Sequence, residues 1–357
     1  MRSIRDIKVF ENIPILVRAP LNVPVEDGRV MNEYRLRRTL PTICFLAERG
    51  ARIVLISHLG EADETLAPVA KALGELIPGV SFFPETIGAG ARGAIRDMSP
   101  GNILVLENLR RNKGEKENDR AFAGELAALG DIFVQDSFDT CHRAHASIVD
   151  VPELLPSYAG FLLEDEIREL SKALAPKHPA LMVIGGAKFG TKETVLAKLL
   201  ATYDQVFVGG ALANDFLKAS GKDVGKSLVS NIDESALKKI LANPKLVLPI
   251  DSVIKNEVIV DQGLGTTALL AGLARKAKTI LWNGPLGNYE NGYTAATRAF
   301  AQAVADSGAY SIIGGGDTVA SIEELGLLPR FSFVSTGGGA MLDFLARGTL
   351  PGIEALH

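Results

Sequence analysis

Three glycine-rich turns, MVIGGAKFGTK (182–192), SIIGGGDT (311–318) and FVSTGGGAM (333–341), each follow an apolar run and precede a stretch with helical spacing. A glycine turn between strand and helix lets backbone amides approach a ligand, and the helix N-terminus adds partial positive charge, so such places suit phosphate. Lys188 and Lys192 stand four apart at the loop-to-helix junction of the first turn. Two ammonium groups on one helix face could converge on an anion, or could simply be solvated surface lysines. Asp317 opens the run after GGG, where a carboxylate could cap the helix or hold Mg2+, which takes one or two carboxylates together with substrate phosphates. These residue types describe a polyphosphate–metal site.

The first half offers a different chemistry. Arg18, Arg35, His58, Arg110, His142, Arg143 and His145 fall at or just past predicted strand ends or in connecting loops. The carboxyl ends of parallel strands are where open α/β sheets bind ligands, and a guanidinium bonds carboxylate or phosphate bidentately. Each arginine alone reads as surface; their number at strand ends points to an anion site. CHRAH (141–145) could be taken for a metal cluster, yet a third and fourth ligand at zinc-like spacing are missing. Gly88, Gly90 and Gly93 satisfy GxGxxG, with Glu107 at roughly the spacing of a ribose-binding acid. That match is weak, because Pro100 and Gly101 cut the helix short and no strong strand runs into Gly88. No GxxxxGK[ST] occurs, which excludes a P-loop. Two anion-binding halves imply an enzyme that passes a phosphoryl group between them.

Positioning these groups requires a scaffold of buried strands. Short apolar runs recur at 13–19, 51–57, 80–83, 102–107, 131–135, 180–184, 205–208, 246–250, 279–282, 310–313 and 331–334. Most are continuously apolar and rich in Val, Ile and Leu, as strands covered on both faces must be. Helix-like stretches alternate with them, for example 36–48, 119–129, 194–201 and 294–305. The expectation is α/β: two doubly wound, parallel-sheet, Rossmann-like domains, since eleven strands would overload one twisted open sheet. Pro152, Pro156 and Gly160 interrupt the pattern, and 161–175 then carries Leu163, Ile167, Leu170 and Leu174 on one helix face. Its charged run Glu164-Asp165-Glu166 reads most simply as a solvated face. The helix itself could be a connector about which two halves move.

At 357 residues the chain exceeds the size at which one core usually stops growing. Its 47% hydrophobic and 22% charged residues are those of an ordinary globule. A net charge of −4 argues against nucleic acid or an anionic membrane as main partner, so any anion site is local. Cys44 and Cys141 do not make a disulfide framework. No apolar run approaches a membrane span, and the N-terminus has no signal-peptide core. The expected location is the cytoplasm.

In order along the chain, VRAPLNVPV (17–25), RLRRTLPTI (35–43), SHLG (57–60), LENLR (106–110) and CHRAHAS (141–147) resemble the N-terminal motifs of phosphoglycerate kinases. GFLLEDEI (160–167), GGAKFGTK (185–192), GGALANDFLKASGKDVGKSLV (209–229), LPID (248–251), WNGPLGNYE (282–290), GGGDT (314–318), STGGGA (335–340) and LPGIEAL (350–356) continue the resemblance. It implies an N-terminal phosphoglycerate-binding domain (1–158), a hinge helix (159–175), a C-terminal nucleotide-binding domain (176–345) and a terminal segment (346–357) returning toward the first domain. It implies reversible phosphoryl transfer between 1,3-bisphosphoglycerate and ADP, giving 3-phosphoglycerate and ATP, with Mg2+, by a monomer. Asn22, Arg35, His58, Arg110 and Arg143 then resemble phosphoglycerate contacts. Gly186, Lys188, Lys192, Gly209, Gly210, Pro285, Glu290, Gly315, Gly316, Asp317 and Thr318 resemble nucleotide contacts, with Asp317 as the Mg2+ ligand and Glu290 at the ribose. Arg35, Lys192, Gly338 and Gly339 resemble the groups around the transferred phosphoryl.

The chain also departs from the pattern. Pro20 stands where R-x-D-x-N-V-P has its aspartate, which removes an acceptor for a glycerate hydroxyl, and Glu61 replaces the arginine of SHLGR. Thr191 replaces an aspartate before Lys192, and Ala211 a third glycine. A carboxylate about 4 Å from a substrate charge would add on the order of 4 kcal/mol of repulsion. Glu61 therefore either weakens substrate binding or turns outward to a basic neighbour. A nucleotide-binding protein of this fold with impaired catalysis is the competing expectation.

Overall fold

The structure is a computed structural model that describes residues 1–186, 193–230 and 234–356. It divides into two compact units, Met1–Ile167 with Thr349–His357, and Arg168–Gly348.

In the first unit six strands make one parallel sheet in the order Val80–Phe83, Ile103–Leu106, Arg52–Ile56, Pro14–Arg18, Ile132–Gln135, Ser157–Ala159. Pro14–Arg18 pairs on one side with Arg52–Ile56 and on the other with Ile132–Gln135, so the strand order reverses there. Ile15, Leu16 and Val17 are fully buried, as are Ile53 to Ile56 and Phe133 to Val134, which is why these runs read as continuously apolar. The helix Tyr34–Ala47 packs its Leu36, Ile43 and Leu46 face into the same core.

The second unit repeats the design with the order Leu246–Val247, Gln205–Val208, Ala180–Ile184, Thr279–Asn283, Tyr310–Gly314, Phe333–Val334. Its reversal lies between Ala180–Ile184 and Thr279–Asn283, which pair from Ala180↔Thr279 to Ile184↔Asn283. Trp282 and Phe300 seal this core edge to face, centroids 4.9 Å apart. A two-stranded hairpin, Ser252–Lys255 with Val258–Gln262, lies outside the sheet.

The helix Phe161–Leu174 starts where the first sheet ends. Its first amides are satisfied from outside the helix: Phe161 donates to Thr42 Oγ1 (2.9 Å) and Leu162 to Asp136 Oδ1 (3.0 Å). Gly160 is required there because a Cβ would overlap the Asp136 carboxylate. The run 164–166 is not a solvated face: Glu166 is fully buried and Glu164 pairs with Arg5 at 2.7 Å.

Candidate active site

The first cluster stands at the reversal point of the first sheet. Arg18 ends its strand fully desolvated, with Nε on Ser147 Oγ (3.1 Å), Nη1 on Ala19 O (3.0 Å) and Ser57 Oγ (3.1 Å), and Nη2 on His58 Nδ1 (2.9 Å). A guanidinium can only donate, so His58 accepts at Nδ1 and carries its proton on Nε2. Burial, then the positive charges of Arg18, Arg110, Arg143 and Arg35, hold the ring neutral, far below its usual range. Burial followed by Arg143, Arg18 and Arg110 lowers His145 to about 4. Arg18 is thus a buried brace for His58. Its burial could not be read from a sequence that gave only its place at a strand end.

Asn22, Arg35, His58, Arg110 and Arg143 are brought together in this cluster. Arg35 Nη1 donates to Asn22 O at 2.6 Å, and Asn22 Oδ1 accepts from the amide of Gly60 at 3.3 Å. Arg110 Nη1 bonds Gly60 O, and Arg143 Nε meets His142 Nε2 at 3.4 Å. Burial and then Arg143 depress the Arg110 guanidinium, against the smaller opposing pull of Glu61 and Glu115.

Three carboxylates answer these cations. Glu115 is buried and bonds Ser147 N (3.0 Å) and Oγ (2.6 Å). Asp139, also buried, lies 3.7 Å from Arg35. Glu61 takes the outward course: its side chain is 68% exposed, 2.5 Å from Lys116 and 3.5 Å from Arg110. The Lys116 hydrogen bond, then its charge, keeps the Glu61 carboxyl below the usual range.

The competing motifs fail on geometry. Cys141 is buried with Sγ toward Ser137 O (3.4 Å), and burial pushes its thiol up, away from the thiolate a metal needs. Among the described residues no group of three or more His, Cys, Asp or Glu could hold a metal by itself. Glu107 is consumed in bonds from Thr65 Oγ1 (2.8 Å), Leu66 N (2.9 Å) and Asn108 N (2.7 Å), so it is not a ribose ligand.

In the second unit the glycine turns meet one another at the reversal point. Gly185 N bonds Asn283 O (2.8 Å), Gly186 N bonds Pro285 O (3.1 Å), Gly209 N bonds Ile184 O (2.8 Å) and Gly210 N bonds Leu286 O (3.2 Å). A Cβ on Gly284 would stand 2.6 Å from the Gly185 backbone, and Gly186, Gly210 and Gly284 all have positive φ. These amides are therefore spent on packing, which for Gly185 and Gly186 departs from the expectation that the 182–192 turn offers its amides to an anion. Lys188 and Lys192, with Thr191, lie outside the described residues.

The other two turns begin helices that no side chain caps, although Gly337 N in the second of them bonds Ser335 Oγ (3.1 Å). Helices Gly316–Glu324 and Gly339–Arg347 have glycine N-caps, Gly315 and Gly338, with no side-chain cap. A Cβ on Gly338 would lie 3.5 Å from Gly315 Cα, so two positive helix ends converge. Asp317 stands at the second helical position, not at the cap. Thr318 Oγ1 is buried without a hydrogen-bond partner among the described residues.

Beside this point opens a cleft of about 290 Å³ walled by Gly186, Gly210, Pro285, Tyr289, Glu290 and Asp317. Asn214 and Gln262 line it too, each with its side-chain oxygen buried and unbonded among the described residues. Those oxygens lie sealed behind the wall, and the cleft itself mixes glycine, proline and aliphatic surface with polar side chains, as a small-molecule site does. Neither was singled out from sequence; Gln262 ends a hairpin strand, Val258–Gln262, whose burial does not alternate. Partial desolvation, then Glu290, raises the Asp317 carboxyl. Oxygen donors of this kind fit Mg2+ held jointly with phosphates.

A basic cluster at one sheet reversal and a glycine-walled cleft with paired helix N-termini at the other define a two-unit α/β enzyme that handles phosphorylated ligands. The phosphoglycerate kinase family model matches residues 4–347, and the chain belongs to that family. It is 42% identical to a phosphoglycerate kinase from Azorhizobium caulinodans and 41% identical to one from Thermus thermophilus, each alignment covering 96% of both chains. The solved phosphoglycerate kinase of Coxiella burnetii superposes with a TM-score of 0.82 at 39% identity, covering 99% of this chain and 98% of that one. That of Pyrococcus horikoshii gives 0.90 at 31% identity, covering 100% and 98%.

Proposed function

We propose that this chain catalyses reversible phosphoryl transfer between 1,3-bisphosphoglycerate and ADP, giving 3-phosphoglycerate and ATP, as a monomeric cytoplasmic enzyme of glycolysis. The observation that carries the reading is the convergence of the Gly315–Gly316 and Gly338–Gly339 helix ends beside a cleft walled by Gly186, Gly210, Pro285, Glu290 and Asp317.

Phosphoryl transfer needs little covalent help from protein; it needs in-line positioning and donors for charge on the equatorial oxygens. The triose phosphate binds on Asn22, Arg35, His58, Arg110 and Arg143, with neutral His58 offering Nε2–H. The nucleotide lies against Gly186, Gly209, Gly210 and Pro285, with Glu290 at the ribose and Thr318 on a phosphate. Arg35, Lys192 and the Gly338–Gly339 amides supply the charge-stabilising donors. Asp317 would hold Mg2+ with the nucleotide, where the ion offsets phosphate charge. Phe161–Leu174, the helix in which the two units join, serves as the hinge between a phosphoglycerate domain and a nucleotide domain.

The reading of impaired catalysis lost its main support when Glu61 proved engaged by Lys116. A coupled assay with ATP and 3-phosphoglycerate decides between them. Turnover is expected; tight MgADP binding without turnover would leave only a nucleotide-binding protein.

A further inference from the structure

Asp139 lies in the Phe138–Thr140 turn that follows the Ile132–Gln135 strand. Pro20 follows the neighbouring strand, Pro14–Arg18, so the two positions emerge side by side where the strand order reverses. The side chain of Asp139 is 5% exposed, and Oδ1 accepts from Ser137 Oγ at 2.5 Å. Oδ2 stands 3.7 Å from Arg35 Nη1, the same nitrogen that bonds Asn22 O at 2.6 Å. Arg35 Nη1 thus links the Asp139 carboxylate to the 20–22 turn, where proline offers no side-chain acceptor.

A buried carboxylate in a site for a trianionic ligand is a liability unless the ligand brings a donor. 3-Phosphoglycerate has one donor at neutral pH, its C2 hydroxyl. All its other polar oxygens are acceptors, which match arginine and His58 but are repelled by Asp139. The presence of an acidic acceptor among Arg18, Arg35, Arg110 and Arg143 selects for that hydroxyl.

We propose that Asp139 is the specificity-determining residue of the triose site, accepting the glycerate C2 hydroxyl and orienting Arg35 from a position that offsets the loss of a carboxylate at Pro20. This rests on the phosphoglycerate site proposed above. A structural counter-ion for the arginines would act on every anion alike. A hydroxyl acceptor discriminates between glycerate and its deoxy analogue.

The test uses the full chain and its Asp139→Asn variant, nearly equal in shape, with 3-phosphoglycerate and 3-(phosphonooxy)propionate, the phosphate ester that lacks only the C2 hydroxyl. Wild type is expected to bind 3-phosphoglycerate at least about tenfold more tightly than the deoxy compound, as hydrogen bonds to charged groups allow. In Asp139→Asn that ratio falls toward unity and KM for 3-phosphoglycerate rises about tenfold or more, while KM for MgATP holds. Adding Pro20→Asp to Asp139→Asn recovers at least part of the ratio; this second variant separates a lost acceptor from a damaged fold, which thermal melting also reports. An unchanged ratio in Asp139→Asn, or equal loss for both compounds, overturns the proposal. Absence of turnover and of triose binding in wild type would instead sink the parent reading, and this one with it.

Discussion

A Cβ placed on Gly210 would stand 2.6 Å from the backbone nitrogen of Gly186, and the φ of Gly210 is +61°. Two turns from different strands thus press backbone to backbone, with Pro285 O a further 3.0 Å neighbour of the same point. No flexible side-chain end can give way. Gly210→Ala is expected to cost about 2 kcal/mol or more, since a left-handed alanine alone costs roughly 1–2 kcal/mol before any clash. It should lower the melting temperature of the unit that holds the cleft and weaken ADP binding with it. Calorimetric melting with and without ADP checks this; an unshifted melt would show that the turns are not in contact.

Glu61 now predicts something milder than a blocked site. Exposed and shared between Lys116 and Arg110, it partly neutralises one arginine of the basic cluster from its outer side. Glu61→Gln should lower KM for 3-phosphoglycerate by about two- to threefold at low ionic strength, and the gain should fade near 0.5 M salt. A KM that rises would mean that Glu61 instead holds Arg110 in its working position.

Asp317 gives a prediction about metal rather than nucleotide. Its carboxyl is already raised by partial desolvation and by Glu290, so a cation placed beside it relieves repulsion. In Asp317→Asn, ADP without Mg2+ should bind as well as to wild type or better, while the tightening caused by Mg2+ should largely vanish. Titration calorimetry at matched ionic strength measures both. An intact Mg2+ effect would move the metal ligand elsewhere.

Lys192 lies outside the described residues, and its proposed role rests on the GGAKFGTK sequence motif. If it steadies charge on the transferred group, Lys192→Ala should cut kcat about 10²–10³-fold and change ADP affinity far less. Matching losses in both would make it an ordinary binding lysine.

How much of this was legible follows from what each element depends on. All eleven strand runs noted in the sequence carry strands, because a strand buried on both faces must be continuously apolar whatever surrounds it. Ser157–Ala159 was not seen: three residues with a Ser and a Tyr, directly after Pro156, carry no such signature. The hairpin Ser252–Lys255/Val258–Gln262 was missed because its turn uses Asn256 and Glu257 at positive φ, where Asn-Gly is the recognised signal. Gln262 went unread with it. The convergence of Arg35, His58, Arg110 and Arg143 followed from strand-end placement. The carboxylates among them did not, since whether Asp139 faces Arg35 is decided by the pairing of two strands more than a hundred residues apart in sequence.

Glu169 supplies the pH dependence. Burial works to raise its carboxyl, but hydrogen bonds from Lys172 (2.6 Å), Tyr310 and Arg168 (2.9 Å) prevail and bring it to about 2. Its folded value lies below the unfolded one of about 4.5, so the unfolded chain binds more protons in between and stability rises with pH across that window. The contribution is complete above about pH 5 and is lost as pH drops toward 2. Glu169→Gln should therefore melt well below wild type at pH 7, and the gap should shrink steadily between pH 5 and pH 3. Tyr310→Phe, which removes one donor, should give a smaller gap over the same window. A gap that stays constant from pH 7 to pH 3 would show that the carboxylate is not ionised by these partners, and that its loss matters only through packing.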